Sequence, residues 1–497
     1  MSDQHRGSLQ RLGRDTILYG IASVLSRVVA FIMLPIYTRY LTPSDYGLLA
    51  ILDLSLEIAL LLFSAGASAG LMRFYYKTND PQKRNEVLFT AWGSTTALYA
   101  VGTVVLLLAA PYIWQHGLHG SGTVGMVRLA AVNFTLSSLM MVPMQMLNID
   151  QRPGMSSVVL TVKLVVQLSL NILFVVGFES GPIGILWSTF YSSLAIGSVM
   201  TVVLLRRTGL AWSWPAFRDL RRFSVPIQFS KAGTFILAYG DRFFLDKFHG
   251  LAVVGLYGLA YQFGFLIASM LTLPFMQAWN PQRFQLAHED RTRRDAMYNR
   301  GFLYGDVVIV SGAVAISLLI RPILDIMTTE AFHPAAAFVP MIVLAYVFQA
   351  WANVADFGIE VSEKTKYTSY ATWCSVVVIV VLYVLLVPPF AGMGAAIATL
   401  VSMFVRFAAT LYFAQRLWPV SYEWGPHVRM ILAGTTVTVA ALLVPVTGIP
   451  AITGVALAAF GVYALWVWGT ILHADDRAAM LALVRSPRSF KDILKAH

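Results

Sequence analysis

The sequence predicts an all-α polytopic membrane protein with about fourteen transmembrane helices. They would form two pseudo-symmetric six-helix bundles around a central cavity, with a C-terminal helix hairpin appended. Three observations predict this. The 497 residues are 57% hydrophobic and only 12% charged, against roughly 25% charged in a soluble domain. Apolar runs recur along the whole chain, each near or above the ~17–25 residues that cross ~30 Å of hydrocarbon. Basic residues concentrate on alternate loops, as successive membrane crossings require.

In order, the runs fall at about 17–37, 47–72, 87–109, 124–149, 154–177, 183–205, 223–246, 252–279, 300–320, 336–361, 367–387, 393–415, 428–446 and 450–472. With the N-terminus on the cytoplasmic side, 27 of the 36 Lys and Arg fall on cytoplasmic ends and loops. Three (Arg39, Lys247, Arg321) fall on the outer side and six inside spans. This positive-inside asymmetry gives an even span count with both termini cytoplasmic. It also accounts for the formal charge of +11 without nucleic acid as a partner, and adds some attraction to anionic membrane lipids. The first run is too long for a signal-peptide core, so no cleavage is expected.

Cys374, the only cysteine, lies in the eleventh span, which excludes a disulfide and a cysteine metal site. His116 and His119 share an outer loop at metal-compatible spacing, but they lack a third ligand and read as ordinary loop residues. No cofactor is expected. No G-x-x-x-x-G-K-[ST] motif occurs, so the chain does not hydrolyse ATP.

The two halves read alike at an offset of roughly 208–210 residues. TRYLTPSDYGLLA (38–50) matches DKFHGLAVVGLYG (246–258), setting Gly47 opposite Gly255; later, Gly184 stands opposite Gly394. Six spans per offset preserve orientation, so the repeats are parallel. Transporters built this way bind substrate between repeats near the midplane. The expected organisation is an N-terminal bundle at 1–205 and a cytoplasmic amphipathic linker at 206–222. A second bundle at 223–420 and a hairpin with a cytoplasmic tail at 421–497 complete it. The linker mixes Trp212, Trp214 and Phe217 with Arg218, Arg221 and Arg222, the composition of an interfacial segment.

Five basic side chains sit deep in apolar runs: Arg27, Lys163, Lys231, Arg242 and Arg406. A charge at the bilayer centre costs at least ~2.5–3.5 kcal/mol, so each must face a bundle interior, a wet cavity or a partner. Helical spacing extends them into polar stripes. Tyr19, Ser23 and Arg27 share one face; Asp53, Glu57 and Ser64 another; Lys163, Gln167 and Asn171 a third. Gln228 with Lys231, then Gln349, Asn353, Asp356 and Glu360, then Thr399, Ser402 and Arg406 complete the set. Structural pairing, such as Arg27 with Asp53 or Glu57, is open for each charge. Stripes on six spans, three in each half, favour a water-filled cavity with a basic lumen suited to an anion. Asp53, Glu57, Asp356 and Glu360 are the candidate proton or sodium ligands.

The chain resembles the polysaccharide-biosynthesis flippases of O-antigen and teichoic-acid export type. These belong to the multidrug/oligosaccharidyl-lipid/polysaccharide exporter superfamily. The resemblance rests on TRYLTPSDYGLLAILDL (38–54), LRRFSVPIQF (220–229) and DRFFLDKFHGLAVVGLYGLAYQF (241–263). QAWNPQRFQLAHED (277–290), EKTKYTSY (363–370) and GMGAAIATLVS (392–402) add to it, so that it runs over roughly 10–420. It implies two six-helix bundles forming a V-shaped, alternately open cavity. It further implies transfer of undecaprenyl-diphosphate-linked oligosaccharide from the cytoplasmic to the periplasmic leaflet of a bacterial inner membrane. A polysaccharide polymerase and chain-length machinery would be further partners. Basic residues of the first and seventh helices are expected to meet the diphosphate or acidic sugars, and here the matching positions are Arg27 and Lys231. With Lys163, Arg242, Arg406, Gln167 and Asn171, they make up the expected substrate-binding set.

Two other classes stay open. A drug exporter of the same superfamily would share the fold, although cationic drugs favour an acidic or aromatic cavity. A membrane polysaccharide polymerase or ligase would need a sizeable outer loop. The longest here, about 110–123 and 321–335, carry no acid/base constellation.

Overall fold

The computed structural model describes residues 33–63, 67–287, 289–474 and 477; at 67–69, 153 and 225–231 only the backbone is described. Every regular element among the described residues is a helix, as the apolar runs require. Eleven of these helices are long and apolar enough to cross a membrane. They fall on twelve of the fourteen expected runs, because the helix Lys366–Leu417 covers two. The first run, 17–37, lies mostly outside the described residues. The seventh, 223–246, is contained in the 36-residue helix Trp214–His249, which is not one of the eleven. The chain divides into two compact units, Met1–Gly255 and Leu256–His497.

In the first unit, α1 (33–40) leads through Leu41 and Thr42 into α2 (Pro43–Phe63). A capping box sets that start. The Thr42 hydroxyl and backbone N–H both donate to the Asp45 carboxylate at 2.8 Å, and the Asp45 N–H returns to Thr42 Oγ1 at 3.2 Å. α3 (Ala67–Tyr76) follows. α4 (Pro81–Tyr112) begins with Pro81 at the position where a missing N–H costs nothing, while Asp80 accepts from the Gln82 N–H at 2.9 Å. α5 (Val124–Ile149) is capped by Thr123. α6 (Pro153–Asn171) runs into a π turn (Ile172–Gly177), and α7 (Pro182–Thr208) and α8 (Trp214–His249) complete the set.

Leu71, Leu88, Val142, Leu204 and Leu220 bring α3, α4, α5, α7 and α8 together in one buried core. Tyr99 of α4 stacks on Phe134 of α5 with ring centroids 4.3 Å apart. Arg207 closes one end of the unit by pairing with Asp150 and donating to the Tyr75 hydroxyl at 2.9 Å. The chain then enters α9 (Leu251–Leu266), whose first turn lies against the first turn of α2. A Cβ on Gly47 would collide with the Leu251 carbonyl, and one on Gly255 with that of Pro43. Only glycine permits that approach.

In the second unit, α9 continues through a π segment (Ile267–Thr272) into α10 (Leu273–Leu286). α11 (Arg291–Met327), capped by Asp290, is followed by a 3-10 turn (Glu330–Ala337), α12 (Val339–Ala355) and α13 (Phe357–Val361). α14 (Lys366–Leu417) is two helices joined at a kink. Pro388 and Pro389 remove backbone donors there, and Ala391 takes φ 48° in the left-handed region. Gly394 then lies so close to the Leu386 carbonyl that a Cβ would not fit. This break separates the apolar runs expected at 367–387 and 393–415.

α15 (Trp424–Leu443) and α16 (Ile449–Trp466) form the appended hairpin. The core is aromatic: Trp279, Tyr298, Phe302, Trp351, Phe357 and Trp424 pack edge-to-face or stacked. α15 is tied to it by polar bonds. His427 Nδ1 lies 2.6 Å from Asp306 Oδ2 of α11, and the Trp351 indole N–H donates to Asp306 Oδ1 at 2.6 Å. All three side chains are buried.

Candidate functional site

Each unit carries its own polar cluster on membrane-spanning helices. In the first, Asp53 and Glu57 are one turn apart on α2, with Asp53 exposed and Glu57 half-buried. An exposed carboxylate in mid-span marks a wet helix face, because lipid would not accept it. Tyr239 of α8 hydrogen-bonds Glu57, and the Arg242 charge acts on Asp53. Arg242 is itself held in place. Its Nη1 donates to Asp241 at 2.9 Å and to the Ala238 carbonyl at 3.0 Å, and its guanidinium lies over the Tyr239 ring. Asp53, Glu57, Tyr239 and Arg242 thus form one acid–phenol–guanidinium group.

Arg27, expected to face this same pair, lies outside the described residues. So does the side chain of Lys231, although its backbone is helical within α8.

The α6 stripe resolves into two kinds of residue. Asn171 donates to the Tyr37 hydroxyl at 2.6 Å, joining α6 to α1. Gln167 donates to Thr189 Oγ1 at 3.1 Å, joining α6 to α7. Both amides serve helix packing as they stand. Lys163, one turn earlier, is half-buried and makes no ion pair with any described residue.

In the second unit, Asp356 and Glu360 converge on Arg283 of α10. Arg283 donates to Glu360 Oε2 at 2.7 Å, to Asp356 Oδ1 at 3.4 Å and to the Asn353 carbonyl at 3.0 Å. Its side chain is 2% exposed and lies over the Phe357 ring. Arg406 of α14 is half-buried and acts electrostatically on Asp356. Two guanidiniums therefore balance two carboxylates. Beside them is a cavity of about 290 Å³, lined by Asn280, Gln349, Asn353, Asp356 and Glu360 among others.

Sequence reading counted Arg283 among the cytoplasmic basic residues, since it lies beyond the apolar part of its run. α10 carries it on to the polar end of α12, and no local signal marks that contact. Asp306 was also missed. It stands alone in the apolar stretch YGDVVIVSG of the ninth span, and the rule that an ionisable residue in mid-span needs a partner could have found it. After α4, His119 lies 3.2 Å from Asp246, and His116 stacks on Tyr112 at 4.3 Å.

A family profile described as "Polysaccharide biosynthesis protein" matches residues 12–287. No curated protein matches the chain. Among solved structures, the chain is similar to a lipid II flippase MurJ in an inward closed conformation. The two superpose at TM-score 0.72 and 11% identity over 92% of this chain and 100% of that one. It is also similar to an inward-facing multidrug resistance MATE family transporter of the MOP superfamily. That match has TM-score 0.61 and 14% identity over 80% of this chain and 98% of that one. A MATE protein in complex with MaL6 matches at TM-score 0.52 and 12% identity, over 80% and 94% of the two chains. At these identities the likeness is one of fold.

Proposed function

We propose that this chain, which belongs to the polysaccharide biosynthesis protein family, is a flippase for lipid-linked oligosaccharide. It carries undecaprenyl-diphosphate-linked glycan from the cytoplasmic to the periplasmic leaflet of the inner membrane, for O-antigen, capsule or exopolysaccharide assembly. Both termini face the cytoplasm, and the two halves alternate in access. The observation that carries this reading is Lys163, an ammonium in mid-span with no acidic partner among the described residues. A cation so placed needs an anion delivered to it, and a lipid diphosphate supplies about two negative charges. Arg27, Lys231 and Arg242 are the remaining cations of the set, while Arg406 is engaged by Asp356. Gln167 and Asn171 act by holding the α6 face in register.

No covalent step is needed. The polar head cannot cross hydrocarbon unaided, and the polyprenyl tail stays in lipid throughout. Asp53 and Glu57 are the carboxylates best placed to couple transport to protons or sodium, because Asp53 is exposed while Asp356 and Glu360 share Arg283. The same exposed carboxylate gives the alternative reading, a cation-coupled multidrug exporter, its support.

Deleting the gene and profiling lipid-linked glycans by mass spectrometry separates the two. Accumulation of a complete undecaprenyl-diphosphate repeat unit, with surface polymer lost and both restored by complementation, is expected. An unchanged lipid pool with raised drug sensitivity would instead favour the exporter.

A further inference from the structure

The cavity beside Arg283 holds a set of side chains that the ion pairs do not use. The Gln349 and Asn353 amides point one turn apart from α12 and make no hydrogen bond with any described residue. Asn280 Oδ1 and Arg283 Nε are buried with no partner among the described residues, and Thr272 Oγ1 is in the same condition. Buried polar atoms are almost always satisfied, so a cluster that is not awaits a ligand or water. The lining groups include both donors and acceptors: amide N–H₂ and C=O from three residues, and the remaining carboxylate oxygens of Asp356 and Glu360.

The charge and the size of the site select the ligand class. Arg283 and Arg406 offset Asp356 and Glu360, so the cluster carries no net charge that would draw in a bare cation or a phosphate. Its volume of about 290 Å³ far exceeds the ~30 Å³ share of one water. It sits at the lower end of the roughly 300–1,000 Å³ of small-molecule pockets. A neutral ligand dense in hydroxyls meets every condition. Carboxylates held by Arg283, with side-chain amides beside them, suit vicinal hydroxyls, each of which both donates and accepts.

We propose that this cavity reads one sugar of the transported glycan, the one next to the diphosphate. Gln349, Asn353 and Asn280 would be the specificity-determining residues, and Arg283 would position the two carboxylates. The inference rests on the flippase reading and gives the pocket of the second unit a task of its own, holding a sugar. It also accounts for the Gln349, Asn353, Asp356 and Glu360 stripe without making the last two a cation site.

The test uses the full chain in lipid nanodiscs. Binding is measured for undecaprenyl diphosphate bearing no sugar, and for the same lipid carrying glucose, galactose, N-acetylglucosamine or N-acetylgalactosamine. At least one glycosylated lipid should bind about tenfold or more tighter than the bare diphosphate, the effect of one or two hydrogen bonds. Gln349→Ala and Asn353→Ala should each erode that preference about fivefold or more and leave bare-diphosphate binding and melting temperature unchanged. Their side chains make no bond within the described protein, so both variants should fold. Equal binding of all five lipids, or a preference untouched in both variants, would overturn the sugar pocket alone. No binding of any of the five would overturn the flippase reading on which it rests.

Discussion

Arg283 reaches Glu360 at 2.7 Å from a side chain only 2% exposed, so a guanidinium on α10 is neutralised by a carboxylate 77 residues later. The pair fixes the end of α12 and α13 against α10, and Asp356 shares the same cation at 3.4 Å. A buried pair can cost as much in desolvation as it gains in attraction, but removing one member leaves the other uncompensated. Arg283→Ala should therefore destabilise the protein by about 3 kcal/mol, whereas Glu360→Gln, at a partly exposed position, should cost under about 1.5 kcal/mol. Thermal unfolding of the detergent-solubilised variants, followed by intrinsic tryptophan fluorescence, checks the order. Equal losses in the two variants would contradict it.

Lys163 and its α6 neighbours should separate function from packing. Lys163→Ala removes a charge that no described residue pairs with, so the fold should hold while glycan transport falls by at least tenfold. Asn171→Ala breaks the 2.6 Å bond to Tyr37 and should lower stability by about 1 kcal/mol. A transport assay in deletion cells, read beside the melting temperature of each purified variant, distinguishes the two effects. Full transport by Lys163→Ala would remove the main support for an anionic cargo.

If Asp53 or Glu57 couples transport to an ion, replacing it with the amide should change the dependence of rate on pH or sodium. Asp53→Asn removes a titrating group from the exposed face of α2 but keeps its shape. Glu57→Gln keeps a hydrogen-bonding partner for Tyr239. Initial rates in proteoliposomes across the neutral pH range, with and without sodium, give the answer. Curves parallel to the parent protein in both variants would exclude these carboxylates.

The all-α spanning fold was legible because it depends on composition and run length, which any window of about twenty residues carries. The break at 388–394 was legible too: two prolines and a glycine cannot continue a helix, and Ala391 is where the chain turns. Gly47 and Gly255 were legible as repeat positions, but their contact partners, Leu251 and Pro43, were not. Close approach between first turns is a tertiary fact with no periodic signature. For the same reason the sequence offered Asp356 and Glu360 as ion ligands and gave Arg283 no part in the site. Spacing shows which residues share a helix face; it does not show what another helix brings to that face. Lys163, Gln167 and Asn171 looked alike on one stripe, and only their neighbours on α1 and α7 divide them.

Gly47→Ala should be poorly tolerated, because the added methyl would meet the Leu251 carbonyl, a backbone atom that cannot rotate away. Overpacking of this kind costs about 1–3 kcal/mol. Gly258, only three residues after Gly255, has open space where its Cβ would stand. Gly258→Ala is thus the internal control and should be neutral or slightly stabilising, since alanine is the better helix former. Comparable expression and melting temperature for both variants would mean that α2 and α9 do not approach as described.

Asp306 gives the sharpest contrast between charge and hydrogen bonding. Its two oxygens accept from the Trp351 indole and face His427 Nδ1 at 2.6 Å each, and all three groups are buried. Asp306→Ala would strand an indole N–H and an imidazole nitrogen together, each costing about 1–3 kcal/mol. Asp306→Asn keeps one oxygen to accept a hydrogen bond and should recover roughly half the loss. His427 is the link from α15 to α11, so the damage should begin at the hairpin. Limited proteolysis is expected to cut between Trp424 and Trp466 in Asp306→Ala before the remaining helices open. Hydrogen exchange over α15 should accelerate in the same variant, with α4 and α5 unchanged. Uniform acceleration across both units would show that Asp306 supports the whole fold and that the hairpin does not open on its own.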